Sequence, residues 1–103
     1  MNQVQIPPKT AGETRSIAFD FISKLAFGET ISTKVVTASV YSGVDASPSS
    51  IISGSATASG TKVYQIVTGG VTGVIYELTA TITTSASQTL TLSGLLAITT
   101  GVV

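Results

Sequence analysis

The longest regular alternation of apolar and polar residues lies in the C-terminal third of the chain. Over eight residues, one set of positions is apolar and the other polar: Tyr76, Leu78, Ala80 and Ile82 against Glu77, Thr79, Thr81 and Thr83. A period of two predicts an antiparallel strand with one buried face. A Tyr that opens such a strand shortly after a Gly is typical of the tyrosine corner of immunoglobulin-like sandwiches. We therefore predict that Gly73 and Tyr76 form a structural corner.

Shorter segments with strand patterns occupy most of the remaining chain. They cover residues 2–6, 15–24, 31–41, 49–53, 61–68 and 88–92, and Gly, Pro and Ser clusters separate them. Residues 9–14 have loop composition, and residues 54–60 fit either a loop or a flat edge segment. No segment has a helical period long enough to predict a helix. The pattern predicts an all-β fold, an Ig-like antiparallel β-sandwich of about seven strands.

The aromatic residues indicate where the core lies. Phe19 and Phe21 share one face of the predicted second strand with Ile17, and Phe27 follows at the start of a predicted turn over residues 27–30. Aromatic side chains bury large apolar areas. We expect this region to supply the aromatic part of the core, with Phe19 and Phe21 as its main members. The inward face of segment 31–41 stays open, because both of its faces carry apolar residues.

The two ends of the chain each allow two interpretations. We divide the chain into an N-terminal arm (1–14), an Ig-like β-sandwich (15–94) and an apolar C-terminal strand or tail (95–103). The arm is either a disordered leader or a clamp onto a partner. The uncharged last segment is either a final core strand or a tail that docks on a neighbouring subunit. The candidate partner contacts are Val4, Ile6, Leu95, Leu96, Ile98, Val102 and Val103.

Composition narrows the function classes. Only 10% of the residues are charged, five basic residues balance five acidic ones, and Val, Ile and Thr dominate. The chain therefore has no basic surface for nucleic acid and no polybasic segment for a membrane. It has no long apolar stretch and no visible signal peptide. A net charge of zero gives little protection against association, so we expect a homo-oligomer or a place within an assembly.

The residues offer little chemistry. The chain has no His, Cys or Trp, which excludes nucleophilic triads that need His and zinc sites that need His or Cys. Its five carboxylates are scattered singly, so no catalytic pair, metal site or cofactor is predicted. Tyr41 and Tyr64 are the only candidates for an exposed aromatic platform that would bind sugar or protein.

Three segments carry a resemblance to a known family. They are FDFISKLAFGETIS (residues 19–32), TGGVTGVIY (68–76) and ITTSA (82–86), in this order. They resemble turn and strand motifs of small Ig-like virion proteins of tailed bacteriophages, which are described as fibre-to-tail adaptors. Similar modules decorate capsids. The resemblance covers about residues 15–92.

The resemblance implies a non-enzymatic virion structural protein that joins tail and fibres through subunit contacts. Its partners would be other virion proteins of the tail, fibre or capsid, and it would be made in the host bacterial cytoplasm. A neutral, hydroxyl-rich face and flat edge strands suit sheet augmentation or face packing between subunits. The alternatives are a capsid decoration protein and a carbohydrate-binding or adhesion module.

Overall fold

In the part of the chain that the structure describes, eight strands form two sheets that pack face to face. The computed structural model describes residues 3, 4 and 6–100, with side chains from residue 6 onward. The strands are β1 (Gln3–Val4), β2 (Lys9–Thr10), β3 (Thr14–Asp20), β4 (Ile31–Ser42), β5 (Ile52–Ser59), β6 (Lys62–Thr68), β7 (Ile75–Thr84) and β8 (Thr89–Thr99). The larger sheet has the order β1-β8-β7-β4, with β2 also on β8, and the smaller has the order β3-β6-β5. The predicted all-β sandwich is confirmed.

Antiparallel pairing dominates both sheets. β4, β7 and β8 pair antiparallel, as do β3, β6 and β5, whereas the short β1 and β2 run parallel to β8. The Val-, Ile- and Thr-rich composition suits these strands, because branched side chains pack well on a pleated surface. The molecule measures 44 × 25 × 22 Å along its principal axes.

The core lies between the two sheets and follows the alternation in the sequence. On β7 the residues Tyr76, Leu78, Ala80 and Ile82 have no exposed surface. Phe19 and Phe21 are also fully buried, and Val36 shows that the inward face of β4 is the one with Val36, Ala38 and Val40. The expectation that Phe27 joins the aromatic core is wrong, because its side chain is fully exposed.

Several element boundaries differ from the sequence prediction. Segment 49–53 was expected to be a strand, but Pro48–Ile51 form a short 3-10 helix before β5 begins. Pro48 is suited to a first helical turn, because it has no backbone N–H to leave unpaired there. Residues 54–59 belong to β5, so the edge-segment alternative holds for them.

The second predicted strand ends earlier than its pattern suggests. The strand β3 stops at Asp20 instead of continuing to residue 24. The Asp20 carboxylate accepts a hydrogen bond from the Ile22 backbone N–H, and the backbone N–H groups of Lys24 and Leu25 return to the carbonyl of Phe21. These bonds turn the chain at a point where the apolar pattern continues.

Candidate interaction surfaces

One end of the sandwich is organised around the Tyr76 hydroxyl. We call it the Tyr76 end, and it comprises loops 11–13, 43–47 and 69–74. Tyr76 Oη accepts a hydrogen bond from Val71 N at 2.9 Å and donates one to Asp45 Oδ2 at 2.6 Å. Asp45 Oδ1 also accepts a bond from Ser47 N. The phenol therefore joins two loops that are far apart in sequence.

These contacts change the acidity of both partners. Burial, reinforced by the bond to Asp45, raises the pKa of Tyr76 above its ordinary value of 10.0. The hydrogen bonds from Tyr76 and from Ser47 N lower the pKa of Asp45 below 3.8. At neutral pH the pair is therefore a neutral phenol that donates to a carboxylate, which is a charge-assisted hydrogen bond.

A buried lysine ties a third loop to this end. Lys9 has 1% of its surface exposed, and its ammonium group donates to three backbone carbonyls. The distances from Nζ are 2.7 Å to Thr10 O, 2.8 Å to Glu13 O and 2.6 Å to Gly69 O. All three N–H donors are thus used. Burial lowers the pKa of Lys9 below its usual value, and the nearby Glu13 carboxylate opposes that shift.

Glycines allow the close approach of the chain at this end. Gly70 has φ +100°, and a Cβ atom there would lie 2.9 Å from Cγ1 of Ile98. Gly73 has φ +91°, and its N–H donates to Ile98 O at 2.9 Å. Residues other than Gly rarely adopt such backbone dihedral angles. Of the two residues of the predicted corner, Gly73 thus lies on the turn that leads into β7, and Tyr76 is the second residue of that strand.

The Tyr76 end also exposes apolar side chains. Val44 is 86% exposed and Tyr41 is 61% exposed, and Val71 is exposed as well. The polar network beneath them is fully hydrogen-bonded, and no buried side-chain N or O atom in the described part of the chain is left without a partner. The internal bonds therefore hold the loops, while Val44 and Val71 stay available for contact.

The opposite end carries a rigid turn with an exposed phenylalanine. We call it the Phe27 end, and it comprises loops 21–30, 60–61 and 85–88. Glu29 N donates to Ala26 O at 2.9 Å, which closes a turn with Phe27 and Gly28 at its centre. Gly28 has φ +82°, the value that a type II turn requires at its third residue. Phe27 stands fully exposed at the tip.

The Glu29 side chain holds this turn in place. One carboxylate oxygen accepts a bond from Ala26 N at 2.8 Å, and the other accepts one from the Thr84 hydroxyl. The Ser85 N–H donates a hydrogen bond to Thr30 O, and the Ser85 hydroxyl oxygen accepts one from Thr30 N. The bonds from Thr84 and Ala26 lower the pKa of Glu29. The turn is thereby fixed to the 85–88 loop, so Phe27 is presented on an ordered backbone.

The outer face of the larger sheet is rich in hydroxyl groups. Residues directly opposite each other in antiparallel strands point to the same face, so the register defines rows across β4, β7 and β8. One row is Thr37–Thr79–Ser93, the next is Val35–Thr81–Thr91, and a third is Ser39–Glu77–Leu95. Glu77 is the only charged group in these three rows. These rows are thus mostly polar and almost uncharged.

The structure divides the predicted partner contacts into three groups. Leu96 and Ile98 lie in the core with at most 2% exposure, so their side chains contact this chain and present no surface to a partner. Ile6 packs partly buried against the core, and Leu95 is half-buried on the outer face of β8. The Val4 backbone pairs with Gly94, but its side chain, Val102 and Val103 lie outside the described residues.

The division of the chain into residues 1–14, 15–94 and 95–103 stays a prediction, but the strands do not follow it. Strand β2, with buried Lys9, lies inside the predicted N-terminal arm, and β8 runs without interruption from Thr89 to Thr99. For residues 95–99 this agrees with the alternative of a final core strand. Burial of Leu96 and Ile98 disfavours a charged residue at these two positions.

The remaining candidates for chemistry are not brought together. Tyr41 lies on β4 of the larger sheet, whereas Tyr64 is half-buried on β6 of the smaller sheet, so they do not form one platform. Among the described residues no three acidic side chains gather into a metal-binding group. No helix in residues 6–100 has the length and apolar character needed to cross a membrane.

Two features of these surfaces were not predicted from the sequence. The turn predicted at residues 27–30 is present, but the exposure of Phe27 at its tip differs from the expectation that this residue joins the aromatic core. The buried Lys9 had no signal at all, because lysine is rarely buried and the preceding Pro7-Pro8 suggested a loop. Lys9 contacts a segment that is distant in sequence, which local patterning does not show.

Comparison with known proteins relates these surfaces to a family. Residues 9–97 match the family described as podophage GP4 fiber-tail adaptor protein gp77. The curated proteins contain no match to the chain. The resemblance to phage fibre-to-tail adaptors is therefore confirmed, and the match begins at the buried Lys9 and ends within β8. Because it spans most of the chain, the protein belongs to the podophage GP4 fibre-tail adaptor family of virion structural proteins.

Proposed function

We propose that this protein joins fibres to the phage tail through subunit contacts and catalyses no reaction. The observation that carries the proposal is the family match over residues 9–97. The scattered carboxylates and the lack of His and Cys support a purely structural role. The absence of disulfide-forming residues suits synthesis in the reducing cytoplasm of the host bacterium.

The geometry supports an adaptor with a contact at each end. The strand β4 runs from the Phe27 end to the Tyr76 end, and each end exposes apolar side chains on hydrogen-bonded loops. Exposed aromatic and aliphatic residues on ordered loops are typical anchors of protein interfaces. A protein that joins two unlike structures needs two separate surfaces, and these ends provide them.

The two ends can be tested separately in phage particles. A phage that lacks this gene is complemented with wild-type, Phe27→Ser or Val44→Ser protein, and fibres per particle are counted by electron microscopy. We expect both variants to lose fibres. The variant at the end that contacts the fibre should keep the adaptor on the tail, whereas the variant at the end that contacts the tail should lose the adaptor as well. Mass spectrometry of purified particles measures the retained adaptor.

The matched control is Ile66→Ser, which changes an exposed apolar residue on the outer face of the smaller sheet, away from both ends. We expect it to leave fibre number unchanged. Normal fibre number in both end variants would contradict the two-ended adaptor. Particles that keep their fibres without any copy of the protein would overturn the proposed function itself.

We also infer that the sandwich is immunoglobulin-like. Its sheets, β3-β6-β5 and β8-β7-β4, have the order of strands B-E-D and G-F-C in immunoglobulin domains. The bond from Val71 N to the Tyr76 hydroxyl, five residues downstream, supports a tyrosine corner. Hydrogen exchange tests the corner: the Val71 amide should be protected in the wild type and lose protection in Tyr76→Phe. Equal exchange in both proteins would contradict it.

Capsid decoration is the alternative within the same class, and copy number distinguishes it. A ring at the tail implies on the order of six to twelve copies per particle, whereas a capsid surface implies on the order of hundreds. Quantitative mass spectrometry of purified particles gives this number. A count in the hundreds would favour decoration and contradict the adaptor.

A further inference from the structure

Phe27 is the most exposed of the large apolar side chains in the described part of the chain. Burial of an aromatic ring removes about 150–250 Å² from water, and Phe27 realises none of this gain within its own chain. The same loop already supplies Phe21 to the core, where it is fully buried. A single exposed apolar residue is ordinary on a protein surface. What distinguishes Phe27 is the turn that carries it.

The turn under Phe27 has more hydrogen bonds than a type II turn needs. Such a turn is closed by one backbone bond, here from Glu29 N to Ala26 O, and by a residue with positive φ, here Gly28. The Glu29 carboxylate adds a bond from Ala26 N at 2.8 Å and one from the Thr84 hydroxyl of β7. The bond to Thr84 joins the turn to the larger sheet, so the backbone of Phe27 has a fixed position before any partner binds.

Fixing an exposed side chain in advance has a consequence for binding. Association loses entropy for every loop and side chain that becomes ordered, and a loop that is already ordered avoids part of that loss. Interfaces draw most of their affinity from a few central residues, and aromatic side chains are enriched among interface residues. The ordered turn and the exposed ring of Phe27 together suit an anchor that enters a partner.

The charges at the Phe27 end indicate what kind of surface it fits. Its loops carry Lys24 and Glu29, and the adjoining strand residues are Asp20 and Lys62. Two basic groups thus balance two acidic ones, and both carboxylates accept hydrogen bonds from their own chain. Such an end gains little from a charged partner, whereas the exposed ring gains from an apolar one. The matching surface is an apolar pocket of the size of a Phe ring.

We propose that Phe27 enters an apolar pocket on the fibre protein and that the Tyr76 end attaches to the tail. This assignment rests on the proposed function as an adaptor. The Tyr76 end exposes Val44 and Val71 on the two loops that the Tyr76 hydroxyl joins, and Tyr41 on the adjoining end of β4. Its apolar residues therefore come from distant segments that internal bonds hold together, which suits a broad and lasting attachment.

The Phe27 end is the narrower of the two. Its large exposed apolar residues, Ile22 and Phe27, both come from loop 21–30. One projecting side chain on a narrow end suits a separate protein that docks onto it. A second copy of the chain is a poor occupant, because pairing this end with either end of another copy would use up a surface that the adaptor needs for the fibre or the tail.

Particles with Phe27→Ser or Val44→Ser decide which end holds the fibre. We expect Phe27→Ser to stay on the tail and to lose most fibres, because removal of a central anchor weakens binding about 30-fold or more. Phe27→Leu, which keeps an apolar side chain, should retain more fibres. Val44→Ser should lose the adaptor together with the fibres. Phe27→Ser particles that lack the adaptor, or that keep all their fibres, would overturn the assignment. The adaptor role would still stand if particles without the protein lack fibres.

A photoreactive side chain tests the pocket without removing the aromatic ring. On irradiation of purified particles, Phe27→p-benzoylphenylalanine should cross-link to the fibre protein, and mass spectrometry of the joined peptide should show apolar residues at the attachment point. The matched control is Ile66→p-benzoylphenylalanine on the outer face of the smaller sheet, which should give no fibre product. A cross-link from position 27 to a tail protein or to a second copy, or no cross-link, would contradict the proposal.

Glu29→Ala separates the position of the ring from its presence. It leaves Phe27 unchanged but removes both carboxylate bonds, so we expect fewer fibres on particles that still carry the adaptor. Glu29→Gln keeps an oxygen that accepts from Ala26 N and should restore part of the fibre number. Wild-type particles should keep their fibres in about 1 M NaCl, where the Debye length is about 3 Å. Full fibre number in Glu29→Ala would overturn the positioning role, and shedding of fibres by salt would overturn the apolar pocket.

Discussion

Replacing Lys9 by Met should remove a large share of the stability of the sandwich. Met keeps most of the volume of the side chain but cannot donate to the carbonyls of Thr10, Glu13 and Gly69. The Thr10 carbonyl keeps a bond from Glu13 N at 3.1 Å. The carbonyls of Glu13 and Gly69 lose their side-chain donor, at about 1–3 kcal/mol each.

A compensating effect makes the net loss smaller than the sum of the bonds. Burying the ammonium group costs several kcal/mol in the wild type, and Met removes that cost. We therefore expect a loss of about 2–4 kcal/mol, against a total stability of about 5–15 kcal/mol for a domain of this size. At about 4–8 °C per kcal/mol, the melting temperature should fall by about 8–32 °C.

Urea and thermal denaturation followed by circular dichroism measure this loss. The control is Lys62→Met, because Lys62 is exposed on β6 and its change should stay within about 0.5 kcal/mol. If Lys9→Met were as stable as Lys62→Met, the three bonds would only balance the desolvation of the ammonium group. The reasoning that Lys9 holds the 11–13 and 69–74 loops together would then be refuted.

Three further variants examine the two ends. Tyr76→Phe should lose about 1–2 kcal/mol at neutral pH. Because the pKa of Asp45 is lowered in the folded state, its contribution to the free energy of unfolding is present above pH 3.8 and is lost as pH falls through the folded-state pKa. Because the pKa of Tyr76 is raised, its contribution to the free energy of unfolding is present below pH 10.0 and is lost as pH rises through the folded-state pKa. Urea midpoints from acid to alkaline pH should therefore fall less steeply at both extremes in the variant, and parallel curves would contradict this. Gly70→Ala should cost about 1–3 kcal/mol through the contact with Ile98, and an unchanged melting temperature would show that the turn can relax. Phe27→Ala should change stability by less than about 0.5 kcal/mol, whereas a loss above about 1 kcal/mol would mean that the ring packs on the protein.

Prediction from the sequence succeeded where a residue's environment follows from its neighbours along the chain. The alternation around Tyr76 identified the buried face of β7, because successive side chains of a strand point to opposite sides. The same reasoning failed for Phe27, since an aromatic residue at a turn has no alternation to place it. It also failed beyond Asp20, where side-chain hydrogen bonds turn the chain although the apolar pattern continues.

The sequence by itself determined the all-β class, most of the strands and the resemblance to phage adaptors, because these depend on local patterning and short motifs. Only the tertiary structure decided that Lys9 is buried, that Leu96 and Ile98 belong to the core, and that β4 is an edge strand of the larger sheet. Each of these facts depends on which distant segments pack together. The physical reason is that burial and strand order are properties of long-range contacts, which the spacing of residues along one strand does not encode.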